Sequence, residues 1–550
     1  MIPALMQHGV SAQAQARPEA TALVFNGSAM TYGALEQTSN QLAHMLKDAG
    51  CSRGDRVGLL MPKMPAAIVA MLGVLKADAI YVPMDPASPA ARQKRVLEIS
   101  DCRCILAAGP VDKALREALS AATLGQQPII GWLDDGLSAQ GEPAPSFRLR
   151  DLAAFPSTCP PSANTGEDVA HILFTSGSTG QPKGVTISHG AVVHLIEWAR
   201  SYFGIVSTDR ISQHPPLRFD VSTFDIFGTL CSGAQLHLVP SELNLLPHKL
   251  AQFIRDARLT QWFSVPSVLN LIMNFDVLRQ DDFPDLRRVL FAGEAMPAPT
   301  LIYWMRRLPH ASFTNLYGPT ETTIVSSYYT VPDCPTDERQ PIPIGSACAG
   351  EELLVLDERL NPVATDDIGD LYIRGVGLSP GYWRDPDKTS SAFLPYSGDE
   401  NSGDRIYRTG DLGRRDAQGV FHFAGRADTQ IKSRGYRIEL GEIEAALHAI
   451  TDLQESAVVA IKSEGFEGWL ICCTYVPAAG TRISLTHLRK CLARLVPAYM
   501  IPARWIQLSA LPKNDNGKID RPLLRRQFLD AETGSAQARL HAASAARALA

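Results

Sequence analysis

Residues 173–185 read LFTSGSTGQPKGV, an apolar strand end that runs into small hydroxyl residues, glycines and a lysine. Small residues let backbone N–H groups turn toward an anion, and the hydroxyls and the Lys183 ammonium add further donors. The stretch therefore predicts a polyphosphate-binding loop directly after a strand. It is not the Walker pattern, whose GK[ST] opens a helix, and in isolation it is also compatible with a Gly/Ser-rich surface loop.

Apolar segments of strand length alternate with helix-like segments on both sides of this loop, as in RVGLLM (56–61), a helical pattern, and AIYVPM (79–84). This alternation predicts an α/β fold with largely buried parallel strands. After residue 425 the pattern changes to that of a compact α+β unit of about a hundred residues. We therefore expect a large domain over 1–425, a small domain over 426–527 and an alanine-rich tail over 528–550.

Composition excludes several classes of protein. Of 550 residues 45% are apolar and 20% charged, and the net charge of −5 gives no indication of a nucleic-acid partner. The N-terminus lacks a basic segment followed by an apolar one, and the longest apolar run, over 66–75, is half the length of a membrane span. The ten cysteines lack zinc-site spacing, so we expect reduced thiols in a cytoplasmic protein.

Further motifs occur in order along the chain: LKADAIYVPMD, NLYGPTE, GDLYIRGVGLSPGYW, YRTGDL, GRADTQIKSRGYRIELGEIE, VPAYMIP and NGKIDR. With these motifs the chain resembles the adenylate-forming superfamily, in particular the amino-acid adenylation domains of nonribosomal peptide synthetases and their free-standing relatives. The resemblance extends over residues 30–521. It implies a large N-terminal region of layered α/β subdomains plus a distorted β-barrel, and a small, mobile α+β C-terminal domain.

The resemblance also implies an ATP site. Tyr317 would stack on adenine, Asn315 would bind its exocyclic amine, Asp411 would accept the ribose hydroxyls, and Glu321 would help to hold Mg²⁺, which prefers carboxylate oxygens. Without the resemblance, YGPTE is better explained as a Gly-Pro turn with a solvated Glu, and Asp411 as a turn or cap residue. The full implied ATP-binding set is Thr175, Ser176, Gly177, Ser178, Thr179, Gly180, Lys183, Gly293, Glu294, Asn315, Tyr317, Gly318, Thr320, Asp411, Arg426 and Lys432.

Two residues have implied roles in the reaction cycle. Lys518, an ordinary exposed lysine if taken alone, would be the catalytic lysine that bridges the substrate carboxylate and the α-phosphate. A cation there relieves the repulsion between two anions that must meet in line. Asp428 would be the hinge about which the small domain rotates.

Asp220 matches the aspartate that amino-acid-activating members pair with the substrate ammonium; alone it could be a structural carboxylate with backbone donors. The implied pocket contains no second charged side chain, which predicts a small neutral amino acid such as alanine, glycine, serine, threonine or cysteine. Such pockets discriminate between substrate side chains that differ by one methylene by only about 1–3 kcal/mol, so the choice among these amino acids stays open. The pocket residues are Phe219, Asp220, Val221, Phe224, Ser264, Leu290, Ala292, Leu316, Ile324 and Val325, with Lys518 closing it.

Two departures from the family pattern matter. Asp78 stands where the family usually has glycine, and we expect a local loop difference there. No carrier-domain block follows Arg521, so we expect a free-standing, monomeric enzyme that passes its acyl group to the phosphopantetheine of a separate carrier protein. The alternatives are an acid:CoA ligase, a D-alanine or glycine carrier-protein ligase for envelope modification, and a catalytically inactive nucleotide-binding regulator.

Overall fold

The computed structural model describes residues 5–134, 144–177, 181–396, 405–463, 468–478, 480–481, 483–514 and 518–531. Three residues of the predicted phosphate loop, Ser178, Thr179 and Gly180, lie outside these ranges, as does the alanine-rich tail from 532 onward. The chain divides into two compact units, Met1–Thr175 with Lys183–Asp428 and Ser176–Pro182 with Thr429–Ala550. The division at 428/429 lies three residues beyond the predicted boundary.

The first unit contains twenty-two strands and eleven α-helices among its described residues. The strands are β1 (Thr21–Phe25), β2 (Ser28–Thr31), β3 (Arg56–Leu60), β4 (Ile80–Met84), β5 (Cys104–Ala107), β6 (Ile129–Trp132), β7 (Phe147–Arg148), β8 (Val169–Thr175), β9 (Lys183–Ser188), β10 (Arg210–Gln213), β11 (Gln235–Leu238), β12 (Gln261–Ser264), β13 (Arg288–Ala292), β14 (Ser312–Tyr317), β15 (Ser327–Thr330), β16 (Ser346–Ala347), β17 (Glu351–Leu356), β18 (Gly369–Gly375), β19 (Gly381–Tyr382), β20 (Phe393–Pro395), β21 (Arg405–Arg415) and β22 (Phe421–Arg426). The helices are α1 (Met6–Ala16), α2 (Tyr32–Asp48), α3 (Pro65–Lys76), α4 (Ala90–Ser100), α5 (Asp112–Ala121), α6 (His189–Phe203), α7 (Val221–Leu230), α8 (Pro247–Asp256), α9 (Pro266–Asn274), α10 (Ala298–Arg307) and α11 (Pro386–Ala392).

Two large sheets form the α/β part of this unit. One has nine strands in the order β16-β15-β14-β13-β12-β10-β11-β1-β2, and the other has eight in the order β19-β9-β8-β4-β3-β5-β6-β7. Their central strands are parallel, and β12 and β13 are buried along their whole length, as strands covered by helices on both faces must be. The predicted α/β class is confirmed.

The region predicted as a distorted barrel consists of five antiparallel strands. They run in the order β17-β18-β21-β20, and β22 pairs with β21. The long strand β21 alternates between buried and more exposed residues, the pattern of a sheet with one face on the core. It contains the whole YRTGDL motif (407–412) and so determines the position of Asp411.

The apolar run over 66–75 is part of α3, where ten of twelve residues are buried. The last residue of this helix, Lys76, is also buried, and its ammonium is bonded to Glu36, Ser39 and Asn40 on α2 at 2.7–2.8 Å. These bonds compensate for the burial of the charge. Across the described ranges, no helix combines the length and the apolar character needed to cross a bilayer.

The second unit contains β23 (Gln430–Ser433), β24 (Tyr436–Glu439), β25 (Leu453–Lys462), β26 (Trp469–Pro477), β27 (Arg504–Gln507), α12 (Leu440–His448) and α13 (Leu485–Leu492). A further helix spans 521–531. The strands form a hairpin, β23-β24, and a three-stranded sheet, β25-β26-β27. Phe528 is buried in one cluster with Val459 and Leu524, so the packed structure continues past residue 527.

Asp78 has a left-handed backbone, with φ of 60°, a conformation that favours glycine and so accounts for the family pattern at this turn. Its carboxylate accepts hydrogen bonds from the Ser162 hydroxyl and, at 3.0 Å, from the Ala163 amide, and it lies 3.5 Å from the Lys47 ammonium. Asp78 thus fixes the polar connection that precedes β8 to the end of α3.

Candidate active site

The predicted phosphate loop is framed by two antiparallel strands. Thr175, the last residue of β8, pairs with Lys183, the first residue of β9. The backbone of Lys183 is therefore held in a sheet, while its side chain of four methylene groups can still turn at the edge of the loop.

Lys183, Glu321 and Tyr382 form a compact polar cluster. The Lys183 ammonium lies 2.8 Å from Glu321 Oε1 and 2.9 Å from the Tyr382 hydroxyl, which itself donates to Glu321 Oε1 at 2.9 Å. The ammonium also lies 4.5 Å from the centre of the Tyr382 ring. Glu321 is completely buried, so the ammonium and the phenol supply the charge and hydrogen bonds that a buried carboxylate needs.

A second line of polar contacts runs from Tyr317 to the predicted hinge. The Tyr317 hydroxyl donates to Asp411 Oδ2 at 2.6 Å, Arg426 donates to Asp411 Oδ1, and Arg426 also forms a bidentate pair with Asp428 at 2.6 and 2.7 Å. Burial and the neighbouring Asp411 raise the pKa of Tyr317, so its phenol remains a donor. Gly410 allows this approach, because its φ is +74° and a Cβ would lie 2.7 Å from the Arg426 guanidinium.

Asn315 lies two residues before Tyr317, and Gly318 follows it directly. Asn315 donates from Nδ2 to the Pro343 carbonyl at 2.8 Å, which leaves the side-chain oxygen as the acceptor end. A Cβ on Gly318 would lie 2.6 Å from the Ile324 carbonyl, so the turn requires glycine. Glu294, which follows Gly293 after β13, accepts from the Ser267 amide at the start of α9.

Asp220 begins α7. Its Oδ1 accepts from the Val221 amide at 2.8 Å, and its Oδ2 accepts from the Thr320 hydroxyl at 2.6 Å. Thr320 therefore contacts Asp220, the carboxylate predicted to bind the substrate ammonium. The next residue, Glu321, contacts the side-chain ammonium of Lys183. Thr323 and Ile324, which follow in the same segment, have φ of 56° and 76°, strained values for β-branched side chains.

Most of the predicted pocket residues form one buried cluster: Phe224, Leu290, Ala292, Leu316, Ile324 and Val325, with Val221 packed against it. Leu290 and Ala292 share a face of β13, and Leu316 is directly opposite Ala292 on β14. Phe219 lies beside the Arg218 guanidinium, which is ion-paired with Asp85 at 2.9 Å.

Ser264 differs from this set. Its hydroxyl accepts from the indole N–H of Trp262 at 2.9 Å, and it pairs with Phe291 rather than with Leu290. Since side chains alternate along a strand, Phe263 occupies the face of Leu290 and Ala292, and Ser264 lies with Trp262. The pocket cluster is therefore more apolar than the sequence suggested.

The remaining predicted residues lie in the second unit. Ser176 donates to the Arg437 carbonyl at 2.7 Å. Lys432 is part of β23 and pairs with Arg437 of β24. Lys518 is exposed; its amide donates to Asn514 Oδ1 at 3.0 Å and its carbonyl accepts from the Asn514 amide at 2.7 Å.

Sequence reasoning missed Tyr382 and Phe263 as site residues. Tyr382 belongs to the GYW motif, which marked the family but carried no predicted chemistry. Phe263 follows from strand alternation once the position of Trp262 is known. Both residues lie in recognisable sequence patterns, but their positions in the site become clear only when the pairing of the strands is known.

Mg²⁺ would find one suitable oxygen ligand in this cluster, the buried carboxylate of Glu321. Over the described ranges, no group of three or more His, Cys, Asp or Glu residues could hold a metal ion. A single carboxylate fits Mg²⁺ that is held mainly by substrate phosphates and water, rather than by a cage of protein ligands.

Family models match both units. The model of the AMP-binding enzymes matches residues 10–383, and that of the AMP-binding enzyme C-terminal domain matches residues 442–518. The chain belongs to the AMP-binding enzyme family.

Relatives give a more specific comparison. L-proline--[L-prolyl-carrier protein] ligase of Pseudomonas fluorescens is 34% identical over 93% of this chain and 96% of its own length. Bacitracin synthase 1 of Bacillus licheniformis is 33% identical over 93% of this chain, but the chain spans only 9% of that protein. The crystal structure of the Vibrio cholerae adenylation domain AlmE with glycyl-adenosine-5'-phosphate covers 96% of this chain and 98% of its own, with TM-score 0.82 and 27% identity.

Proposed function

We propose that the chain activates a small neutral amino acid with ATP as aminoacyl-AMP and pyrophosphate, and then transfers the acyl group to the phosphopantetheine thiol of a separate carrier protein. One observation carries this proposal. Thr320 holds Asp220, and the next residue, Glu321, holds Lys183. An ammonium-binding carboxylate and a phosphate-binding lysine thus lie on either side of one turn, as a reaction between an amino acid and ATP requires.

The nucleotide would use the polar line that starts at Tyr317. The ring would stack on adenine, and the Asn315 side-chain oxygen would accept from the exocyclic amine. Asp411, held by its contact with Arg426, would accept the ribose hydroxyls. The loop after Thr175 and the Lys183 ammonium would bind the phosphates.

Mg²⁺ would be held by Glu321 together with the phosphates, and when bound it neutralises phosphate charge. Lys518 would approach the substrate carboxylate and the α-phosphate, and would relieve their repulsion as the carboxylate oxygen attacks phosphorus. The bond to pyrophosphate breaks in the same step. No proton must be removed, because the substrate carboxylate is ionised at neutral pH.

Rotation about Asp428 would then withdraw Lys518 and admit the carrier thiol, which attacks the acyl carbon and releases AMP. The apolar cluster around Phe224 and Leu290 supports a small, uncharged substrate side chain. Two relatives, a prolyl-carrier protein ligase and an adenylation domain in complex with glycyl-adenylate, support the same class. All ten cysteines are free thiols, which supports an enzyme that works in the reducing cytoplasm. We propose that it acts as a monomer.

ATP–pyrophosphate exchange with each proteinogenic amino acid tests the proposal. We expect exchange with one or a few small neutral amino acids. No exchange with any amino acid would favour an acid:CoA ligase, and CoA presented against a phosphopantetheinylated carrier would decide that point. Loss of all nucleotide chemistry would favour the inactive regulator.

Lys518→Ala separates the two half-reactions. It should abolish exchange, whereas thioester formation from synthetic aminoacyl-AMP should decline much less. Lys513→Ala is the matched control, because Lys513 lies in the same turn but pairs with Glu455 at 3.3 Å. Equal loss of both half-reactions in Lys518→Ala would reject the domain rotation.

A further inference from the structure

We propose that Lys183 is the counter-ion of Glu321 while the site lacks nucleotide, and that it competes with divalent cations for this carboxylate. The inference rests on the proposed function, in which Lys183 binds phosphate and Glu321 binds Mg²⁺. It assigns Lys183 a second, earlier role, and it assigns Tyr382 as the positioning residue for the exchange.

The carboxylate of Glu321 is buried. Glu321 has no exposed side-chain surface, and the Lys183 ammonium, whose side chain is 11% exposed, lies 2.8 Å from Oε1. A carboxylate at this depth must be paired or neutralised. The Lys183 ammonium therefore neutralises the same carboxylate charge that would attract a divalent cation.

Glu321 and Lys183 are held in different ways. Glu321 lies in a short 3₁₀ turn over Thr320–Thr322, whose Thr322 hydroxyl is bonded to Ser326 at 2.7 Å. Lys183 has a fixed backbone in β9 and a flexible side chain. When ATP arrives, the lysine can move to a phosphate oxygen while the carboxylate stays in place.

Tyr382 contacts both members of the pair. Its hydroxyl donates to Glu321 Oε1 and accepts from Lys183, and its ring lies beneath the ammonium. The phenol can keep its bond to the carboxylate after the ammonium leaves, and the aromatic face keeps the cation close. Tyr382 is itself fixed by β19, which pairs with β9 two residues after Lys183.

Binding of Mn²⁺ to the nucleotide-free chain, followed by electron paramagnetic resonance, tests this competition without ATP or amino acid. If Lys183 competes, Lys183→Met should bind Mn²⁺ about tenfold more tightly than the wild type, since one charge partner of Glu321 is removed. The double variant Lys183→Met/Glu321→Gln should not show this increase in Mn²⁺ affinity. Lys388→Met, which removes a lysine from a partly exposed pair with Asp385, should leave the affinity unchanged.

Equal or weaker Mn²⁺ binding by a folded Lys183→Met would overturn the proposal. If that variant does not fold, ¹⁵N NMR of lysine ammonium groups in the wild type gives the answer, with Lys183→Arg identifying the resonance. Mg²⁺ with a non-hydrolysable ATP analogue should shift the Lys183 signal, and an unchanged signal would also overturn it. A failed exchange assay with a tightened Mn²⁺ site would reject the proposed function but not the competition.

Discussion

Arg521 donates from Nη2 to both carboxylate oxygens of Glu444, and each contact is 2.8 Å long. Glu444 lies in α12 and also accepts from the Val458 amide of β25 at 2.8 Å. Arg521 is the first residue of the helix over 521–531 and follows Lys518 by three positions. The pair therefore anchors the chain directly after the turn that carries the proposed catalytic lysine.

Arg521→Met should weaken adenylation and largely spare thioester formation, because only adenylation needs Lys518 in position. A displacement of about 1 Å costs about a hundredfold in rate, and we expect a loss of this order in pyrophosphate exchange. Thioester formation from synthetic aminoacyl-AMP should remain close to wild type. Arg525→Met in the same helix, an exposed position, is the control; equal decline of both half-reactions in Arg521→Met would make Arg521 purely structural.

Thr320→Val should weaken amino-acid binding. The substitution preserves shape but removes the hydroxyl that donates to Asp220 at 2.6 Å. Hydrogen bonds to charged groups are worth about 1.5–3 kcal/mol, so KM for the amino acid should rise about tenfold or more. Thr320→Ser should restore the wild-type value, and an unchanged KM in Thr320→Val would show that Asp220 is oriented by other contacts.

Lys63 and Asp225 should behave as a coupled pair. Lys63 is buried and donates to the carbonyls of Gln213 and His214 at 3.0 and 2.5 Å, where β10 leads toward Asp220. Burial lowers the pKa of Lys63 to about 7 and raises that of Asp225, whose carboxylate has no hydrogen-bond partner in the described chain. Lys63→Met should cost about 1–3 kcal/mol of unfolding free energy in urea titrations, because two buried carbonyls lose their donor.

Lys63→Met/Asp225→Leu should recover part of this loss, because the buried carboxyl group, whose oxygens have no hydrogen-bond partner in the described chain, is then removed as well. Lys388→Met, at a partly exposed ion pair, should change stability by less than about 1 kcal/mol. Strict additivity of the Lys63 and Asp225 substitutions would mean that the two groups do not interact.

Acid should destabilise the chain through four histidines. Burial lowers the pKa of His171 and His214 to about 3 and of His189 and His237 to about 4. These imidazoles are neutral in the folded chain but gain protons on unfolding below about pH 6.5, so stability falls as pH decreases from about 6.5 toward 4.

Melting temperatures measured between about pH 7.5 and 4.5 test this dependence. His171→Phe should flatten it, since the ring that stacks on Tyr81 at 4.8 Å is retained without its titration. Replacing the exposed His487 by Gln should leave the slope unchanged. A pH-independent wild type would contradict the assignment.

Features that depend on local sequence patterns could be predicted from the sequence. Strand and helix alternation predicted the α/β class, and LFTSGSTGQPKGV predicted a loop directly after a strand, which β8 and β9 indeed frame. Contacts between distant segments could not be read in this way. The bond between Tyr382 and Glu321 joins residues 61 positions apart, and the face occupied by Phe263 depends on the register of β12 against β13. Asp78 illustrates the limit: the departure was visible, but its bond to Ser162 was not.

The pairing of Thr175 with Lys183 has a consequence for chain-length changes. Insertions within 176–182 leave that rung of the ladder intact, so loops of different length can be exchanged there without moving the lysine. Deleting one residue inside Lys183–Ser188 reverses which face each following side chain occupies. A change of length on the first side therefore alters the proposed phosphate loop but leaves Lys183 in position, whereas a change on the other side displaces the strand itself.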